Sequence, residues 1–214
     1  MGEFLIIGVT DVSKYASFIF FTMPQLLSVQ IARARRVNIN ERVVLTAIHK
    51  QTVAGLVPVA SLGLSGDEQA DWSVHGGLDK AVYAYPSEHY AFWRTAREQA
   101  GLTGIDDALP WGSMGENLTL AGLLETQVWV GDQLRFAHCV LRVTQPREPC
   151  YKFNAAMGYA GAVKAMAQLG CCGFYLAVDE GGSLQAGEPF ELLPGPRRLG
   201  IPEIFNARMF KHLR

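Results

Sequence analysis

The residues with the most chemistry per unit length run from Gln145 to Lys152, in the order Gln-Pro-Arg-Glu-Pro-Cys-Tyr-Lys. Pro146 and Pro149 lock their own φ and push Gln145 and Glu148 toward extended backbone, so the apolar run Cys139 to Thr144 ends here as a strand. Cys150 is thereby held on a stiffened bend just past a strand end. Arg147 and Lys152 flank it, and nearby cations favour the thiolate, the form that attacks electrophiles and ligates soft metals. A cysteine in a turn is otherwise a small apolar filler. Two cations so close, with Tyr151 the sole apolar neighbour, point to a reactive thiol instead.

A second group lies upstream in Val74-His-Gly-Gly-Leu-Asp-Lys80. His75 titrates near working pH and is a candidate proton carrier; a histidine that only pins its loop by hydrogen bonding is the competing use. Gly76 and Gly77 mark backbone that turns tightly or lies against something close. Asp67, Glu68 and Asp71 would make a hard divalent-metal site with His75, but Asp and Gly populate solvated turns for conformational reasons alone. Gly112-Ser-Met-Gly115-Glu-Asn117 is a loop whose backbone amides could cradle an anion; two glycines in a loop are a weak signal by themselves.

These groups must be positioned by a strand-rich chain. Short runs rich in Val, Ile, Phe and Tyr, broken by 22 Gly and 10 Pro, predict a mainly β fold with a few helices, of the α+β class. Leu27–Ala32 and Val43–Ile48 read as an opening hairpin with Arg33–Arg42 as a long polar loop. Ala81–Tyr85 is a strand, and Pro86–Ser87 open a helix to about Gln99 with Tyr90, Trp93 and Arg97 on its core face. Gln127–Val130 and Gln133–Phe136 read as a hairpin around Gly131–Asp132. Tyr159–Leu169 is a helix, and Gly173–Val178 with Phe190–Leu193 form a closing β pair. The domain plan is an N-terminal extension over 1–25, one main domain over 26–193, and a solvated tail over 194–214 with one short helix.

Composition excludes several classes. The 19 Lys+Arg against 20 Asp+Glu give a net charge of −1, so no bulk electrostatic case exists for duplex nucleic acid or an anionic membrane. Apolar runs near the N-terminus fall short of the ~20 residues of a membrane span. Cys139, Cys150, Cys171 and Cys172 match no zinc or iron–sulfur spacing, and with no export signal they read as reduced thiols in the cytoplasm. Cys139 faces a core, and Cys171–Cys172 reads as a packed helix exit ahead of a redox couple.

Taken in order, Gly63-Leu-Ser-Gly-Asp, Val74-His-Gly-Gly-x-x-Lys80-Ala-Val, Tyr85-Pro-x-Glu-His-Tyr, Gly115-Glu-Asn-Leu118 and Gln145-Pro-Arg-x-Pro-Cys-Tyr-Lys152 resemble a MOSC domain, the module at the C-terminus of molybdenum cofactor sulfurases. The set is most similar to the YiiM-like subgroup over about residues 26–193. The resemblance implies a barrel-like β fold, a pyranopterin molybdenum cofactor with Cys150 as protein ligand to molybdenum, and reduction of N-hydroxylated compounds such as hydroxylaminopurine bases, a detoxification.

Residue chemistry is compatible with that implication. A thiolate suits a metal also held by dithiolene sulfurs. Arg147, Lys152 and Lys80, with amides at Gly76, Gly77 and Gly115, suit a phosphate. Asn117 and Asn154 are hydrogen-bonding candidates for pterin or substrate edges, and His75 is the candidate proton donor as the N–O bond breaks. With no dinucleotide fingerprint and no cluster cysteines, a separate electron-donor protein is expected, and an oligomer is compatible. A non-enzymatic carrier of cofactor or sulfur would use the same residues, and a cofactor-free hydrolase would use Cys150 as nucleophile and His75 as base.

Overall fold

The computed structural model of the chain describes residues 23–72, 76–102 and 109–211. In chain order the strands are β1 (Gln25–Ile31), β2 (Arg35–Ile39), β3 (Arg42–Thr46), β4 (Gln51–Val53), β5 (Val57–Ala60), β6 (Gly63–Leu64), β7 (Val82–Pro86), β8 (Leu118–Ala121), β9 (Gln133–Arg135), β10 (Val140–Pro146), β11 (Phe174–Glu180), β12 (Gly182–Leu184) and β13 (Glu191–Leu193). The helices are α1 (Tyr90–Gln99), α2 (Tyr151–Met157), α3 (Ala162–Leu169) and α4 (Ile201–Met209). The chain is therefore mainly β with helices, the α+β class.

Eight strands form the principal sheet in the order β13-β9-β10-β11-β7-β8-β1-β4. All neighbours in it run antiparallel except β7 and β8. A parallel pair needs a crossover, and α1 lies within it. Trp93 and Tyr90 of α1 are buried, and the indole Nε1 of Trp93 donates to Tyr85 Oη at 2.6 Å. Every residue of β7 is buried, as expected of a central strand covered on both faces. Gly173, at φ +62, precedes β11 because a Cβ there would lie 2.4 Å from the Ala84 carbonyl oxygen.

The expected barrel is not a continuous closed ladder among the described residues, since β4 and β13 remain outer strands. A short stitch nevertheless joins the start of β1 to the segment leading into β13. Leu26 N donates to Glu188 O at 2.9 Å, Gly187 N to Leu26 O at 2.7 Å and Phe190 N to Pro24 O at 3.0 Å.

Four expected elements differ. Gly173–Val178 and Phe190–Leu193 do not pair with each other: β11 pairs with β10 and β7, while β13 pairs with β9. Arg33–Arg42 is not a long loop: it contains β2, which turns at Asn40 and Glu41, both at positive φ, and pairs with β3. The run at β1 pairs instead with β4 and β8. Gly131–Asp132 is not a hairpin turn, because β9 finds its partners in β10 and β13. The tail is not a solvated end either. Ile201 and Phe205 are fully buried, and Trp129 bridges Gly200. The N-terminal extension lies outside the described residues up to 22. Among the described residues no helix is long and apolar enough to cross a membrane.

Glu116, fully buried, holds the loop between α1 and β8. Its carboxylate accepts from Tyr90 Oη, from Gly112 N at 2.8 Å, from Met114 N at 3.0 Å and from Thr119 Oγ1 at 2.9 Å. Burial raises its pKa above the usual carboxylate value, against the opposing pull of the Tyr90 and Gly112 donors. Glu116→Ala would strand these donors in the interior at about 1–3 kcal/mol for each group left unpaired. The midpoint of urea unfolding should fall at unchanged slope; an unmoved midpoint would mean that the loop is held by something else.

Candidate functional site

β10 stops at Pro146, and α2 begins directly after Cys150. Cys150 takes extended backbone, φ −125 and ψ 173, so the bend expected from the two prolines is the junction between a strand and a helix. Its thiol is half-buried and unbonded to another cysteine. The same segment is braced from the tail, where Arg208 Nη1 of α4 donates to Gln145 Oε1 at 2.9 Å and to Glu148 Oε1 at 2.7 Å.

Arg147 turns inward and is 5% exposed. Its guanidinium lies 5.2 Å from the Tyr83 ring centre and 5.1 Å from that of Phe153, and Nη1 lies 3.8 Å from Met166 Sδ. No carboxylate comes within ion-pair reach of it among the described residues. Burial opposes its charge, but Tyr83, Tyr175 and Cys150 favour it and the net displacement is upward, so it stays a cation. The aromatic faces supply part of what a carboxylate would.

Arg147 and Cys150 line a cleft with about 640 Å³ of empty space, open to solvent. Its wall also carries Lys80, Lys152, Gly115 and Asn117. Lys80 Nζ lies 5.7 Å from the Tyr175 ring centre, and Lys152 Nζ donates to Leu45 O at 3.3 Å. Gly115 sits at φ +81, where a Cβ would come 2.9 Å from Ile48 Cγ1.

The remaining expected residues fall elsewhere or have other tasks. Asn117 is already committed: Oδ1 accepts from Tyr83 N at 3.1 Å, while Nδ2 donates to Gln30 O at 3.1 Å and to Asp67 Oδ2 at 2.9 Å. Asn154 lies away from the cleft lining and its Oδ1 accepts from Val163 N at 2.8 Å, holding the first turn of α3. Gly76 and Gly77 are not in the lining, but Gly77 N donates to Gln69 Oε1 at 2.7 Å and so holds a residue that is. His75 lies outside the described residues.

The acidic turn differs most. Asp67 is only partly exposed and its side chain, 7% exposed, is not solvated: the carboxylate lies 2.5 and 2.7 Å from Lys50 Nζ, and it also accepts from Ala32 N at 2.7 Å. Burial pushes the Lys50 ammonium toward its neutral form, and Asp67 offsets this only in part. Glu68 accepts from Ala34 N at 2.8 Å. Among the described residues no group of three or more His, Cys, Asp or Glu converges as a metal cage.

Lys50, Tyr83 and Tyr175 line the cleft without a sequence signal of their own. Tyr83 and Tyr175 are register partners across β7 and β11, and a tyrosine inside an apolar strand reads as core. Burial raises both hydroxyls above their ordinary value, so they stay neutral. The Tyr83 hydroxyl is spent on the Cys172 carbonyl oxygen, to which it donates at 2.8 Å.

Residues 71–191 match the MOSC domain family. The chain is 40% identical over 149 residues to "Protein YiiM" of Escherichia coli (strain K12), covering 69% of this chain and 64% of that protein. It is 31% identical over 188 residues to a protein named "Reductase" of Gibberella moniliformis, covering 86% of this chain but 32% of that longer protein. Its fold is similar to the crystal structure of YiiM from Geobacillus stearothermophilus, with TM-score 0.68, 31% identity, and coverage of 89% and 86% of the two chains.

The four cysteines separate by burial. Desolvation pushes the Cys139 and Cys171 thiols up to about 12 and raises Cys172 well above its ordinary value, as expected of packed residues. In the native protein a thiol reagent at pH 8 should modify Cys150 rapidly and the other three only on unfolding. Cys150→Ala should remove the fast phase; a fast phase that survived would place the accessible thiol elsewhere.

Proposed function

The chain is a YiiM-like member of the MOSC domain family, and from that premise we propose that it is a molybdenum-dependent reductase of N-hydroxylated compounds, such as N-hydroxylated purine bases, acting in their detoxification. The observation that carries the reading is the make-up of the cleft. A half-exposed thiol shares it with Arg147, Lys80 and Lys152, and Arg147 is a buried cation without a carboxylate among the described residues. A soft thiolate suits molybdenum, and three cations suit the phosphate of a pyranopterin, so the residues present fit the cofactor. The relative named "Reductase" supports redox chemistry over simple carriage. Barrel-like closure of the sheet and a cytoplasmic location belong to the same reading.

In this reading Cys150 is the protein ligand to molybdenum. Arg147, Lys80 and Lys152 bind the phosphate, with backbone at Gly115 lying close because a side chain there would meet Ile48. The bound cofactor supplies the two-electron redox step. The substrate R–NH–OH takes up two electrons and two protons, its N–O bond breaks, and R–NH₂ and water leave. The chain's own work is to orient and to exclude water. Arg147 is immobilised between two rings and keeps its charge at a fixed point, which costs no reorganisation when charge develops nearby. Lys50, Asp67 and Asn117 are tied to one another within the cleft wall. His75 is the assigned proton donor. Electrons come from a separate protein, since the four cysteines lack cluster spacing.

The test is elemental analysis of wild type, Cys150→Ala and Arg147→Ala, each produced in a host that makes the cofactor. Each preparation is then assayed for reduction of 6-hydroxylaminopurine by reduced methyl viologen. Near-stoichiometric molybdenum and turnover are expected in wild type. Metal and activity should be lost in Cys150→Ala, and cofactor retention should fall about tenfold or more in Arg147→Ala, as when a charge-assisted contact to phosphate is lost. Metal without turnover would point to a carrier. No metal in wild type despite confirmed supply would overturn the reading.

A further inference from the structure

Among the described residues the hairpin β2–β3 pairs only with itself, and it adjoins the cleft. Its register puts Arg35, Val37 and Ile39 beside Thr46, Val44 and Arg42 on one face, and Arg36 and Asn38 beside Leu45 and Val43 on the other. The former is the inner face, with Ile39 and Thr46 buried. The latter points outward, and Val43 is 70% and Leu45 47% exposed.

Along the ribbon the charge is one-sided, with Arg36 on this outward face and Arg35 and Arg42 on the other. Arg33, Arg35, Arg36 and Arg42 are all exposed, and Glu41 is the single acidic residue between 33 and 49. None of the four arginines forms an ion pair among the described residues. A chain of net charge −1 thus concentrates positive charge on one ribbon. That ribbon runs into the cleft wall at Thr46, Ala47 and Ile48, and Leu45 O accepts from Lys152 Nζ.

An exposed aliphatic pair with arginine beside it fits a protein-contact surface, whose core is depleted in charge and where arginine is enriched. Aliphatic side chains gain nothing against a phosphate backbone, which argues against nucleic acid. A second copy meeting this face across a two-fold axis would bring arginines together. Charge complementarity therefore selects an acidic protein. We propose that the outward face of the hairpin docks an acidic electron-carrier protein, with Val43 and Leu45 at the contact centre, Arg36 beside them on the same face, and the other exposed arginines of the ribbon adding longer-range attraction. This rests on the reductase reading. The carrier, a reduced ferredoxin- or flavodoxin-class protein, gives up one electron in each of two encounters and is itself oxidised. The two electrons with two protons convert R–NH–OH to R–NH₂ and water.

The test separates docking from turnover. The full chain without cofactor is titrated with plant-type ferredoxin and with flavodoxin, both acidic, at low and at physiological salt. Binding of at least one carrier is expected, weakened about tenfold or more by salt and about tenfold by either Arg36→Glu or Val43→Asp. Both positions are exposed and outside the cleft lining, so molybdenum content and viologen-driven turnover of the loaded variants should equal wild type. The docking proposal is overturned if neither carrier binds or if neither substitution weakens binding. It is also overturned if Val43→Asp dissociates a homodimer, if single-stranded RNA binds in preference, or if carriers bind only after deletion of residues 1–22. Absence of viologen-driven turnover in loaded wild type would sink the reductase reading alone, because the binding result decides the docking independently.

Discussion

Two adjacent buried side chains, Glu116 and Asn117, hold the centre of this molecule together. Glu116 gathers the start of α1, the loop before β8 and β8 itself onto one carboxylate. Asn117 joins β7 to β1 through its side chain, its backbone bonds repeat the link, and its amide reaches on to Asp67. A parallel pair such as β7 and β8 cannot be closed by a tight turn, so its register must be held by other means. A fully satisfied polar network does this with directionality that apolar packing lacks. The cleft depends on it, since Asp67 carries Lys50 and with it one wall.

Charge in the cleft is arranged in two contrasting ways. Lys50 is neutralised by Asp67 at hydrogen-bond distance and works as scaffold. Arg147, buried in the core, is surrounded by rings and a thioether. Burying a cation without a counter-ion is costly, and the cation–π contacts offset only part of that cost. The arrangement is one that an anionic ligand would complete. Placing Cys150 three residues further on, where strand gives way to helix, aims a soft donor at the same space.

Elements with a strong local signal were legible. The strand at β7, the helix from Tyr90 with its buried Tyr90 and Trp93, and the inert Cys139, Cys171 and Cys172 follow from apolar pattern and flanking Pro or Gly. The β2 strand was hidden because Arg35 and Arg36 open it and mask an alternation that only Val37 and Ile39 reveal. Gly131–Asp132 carries genuine hairpin chemistry, but Asp132 turns its carboxylate to Trp129 N and Gly195 N, and β9 pairs with strands further along. The tail reads as solvated because Arg197, Arg198, Lys211 and Arg214 dominate its composition, while Ile201 and Phe205 do the packing.

What the sequence alone determined was the mainly β character, the reactive candidate at Cys150 with Arg147 and Lys152 beside it, and the family those motifs resemble. These are properties of neighbours in the chain, where prolines set φ and charges sit within a few residues of a thiol. What only the tertiary structure decided was which distant residues share the cleft and how each one's hydrogen bonds are spent. Lys50, Tyr83, Asn117 and Tyr175 meet there through strand register, Asn154 is turned to a helix start, and the Asp67 carboxylate is paired with Lys50. Burial and partnership depend on contacts between segments far apart in the chain, and no local pattern encodes them.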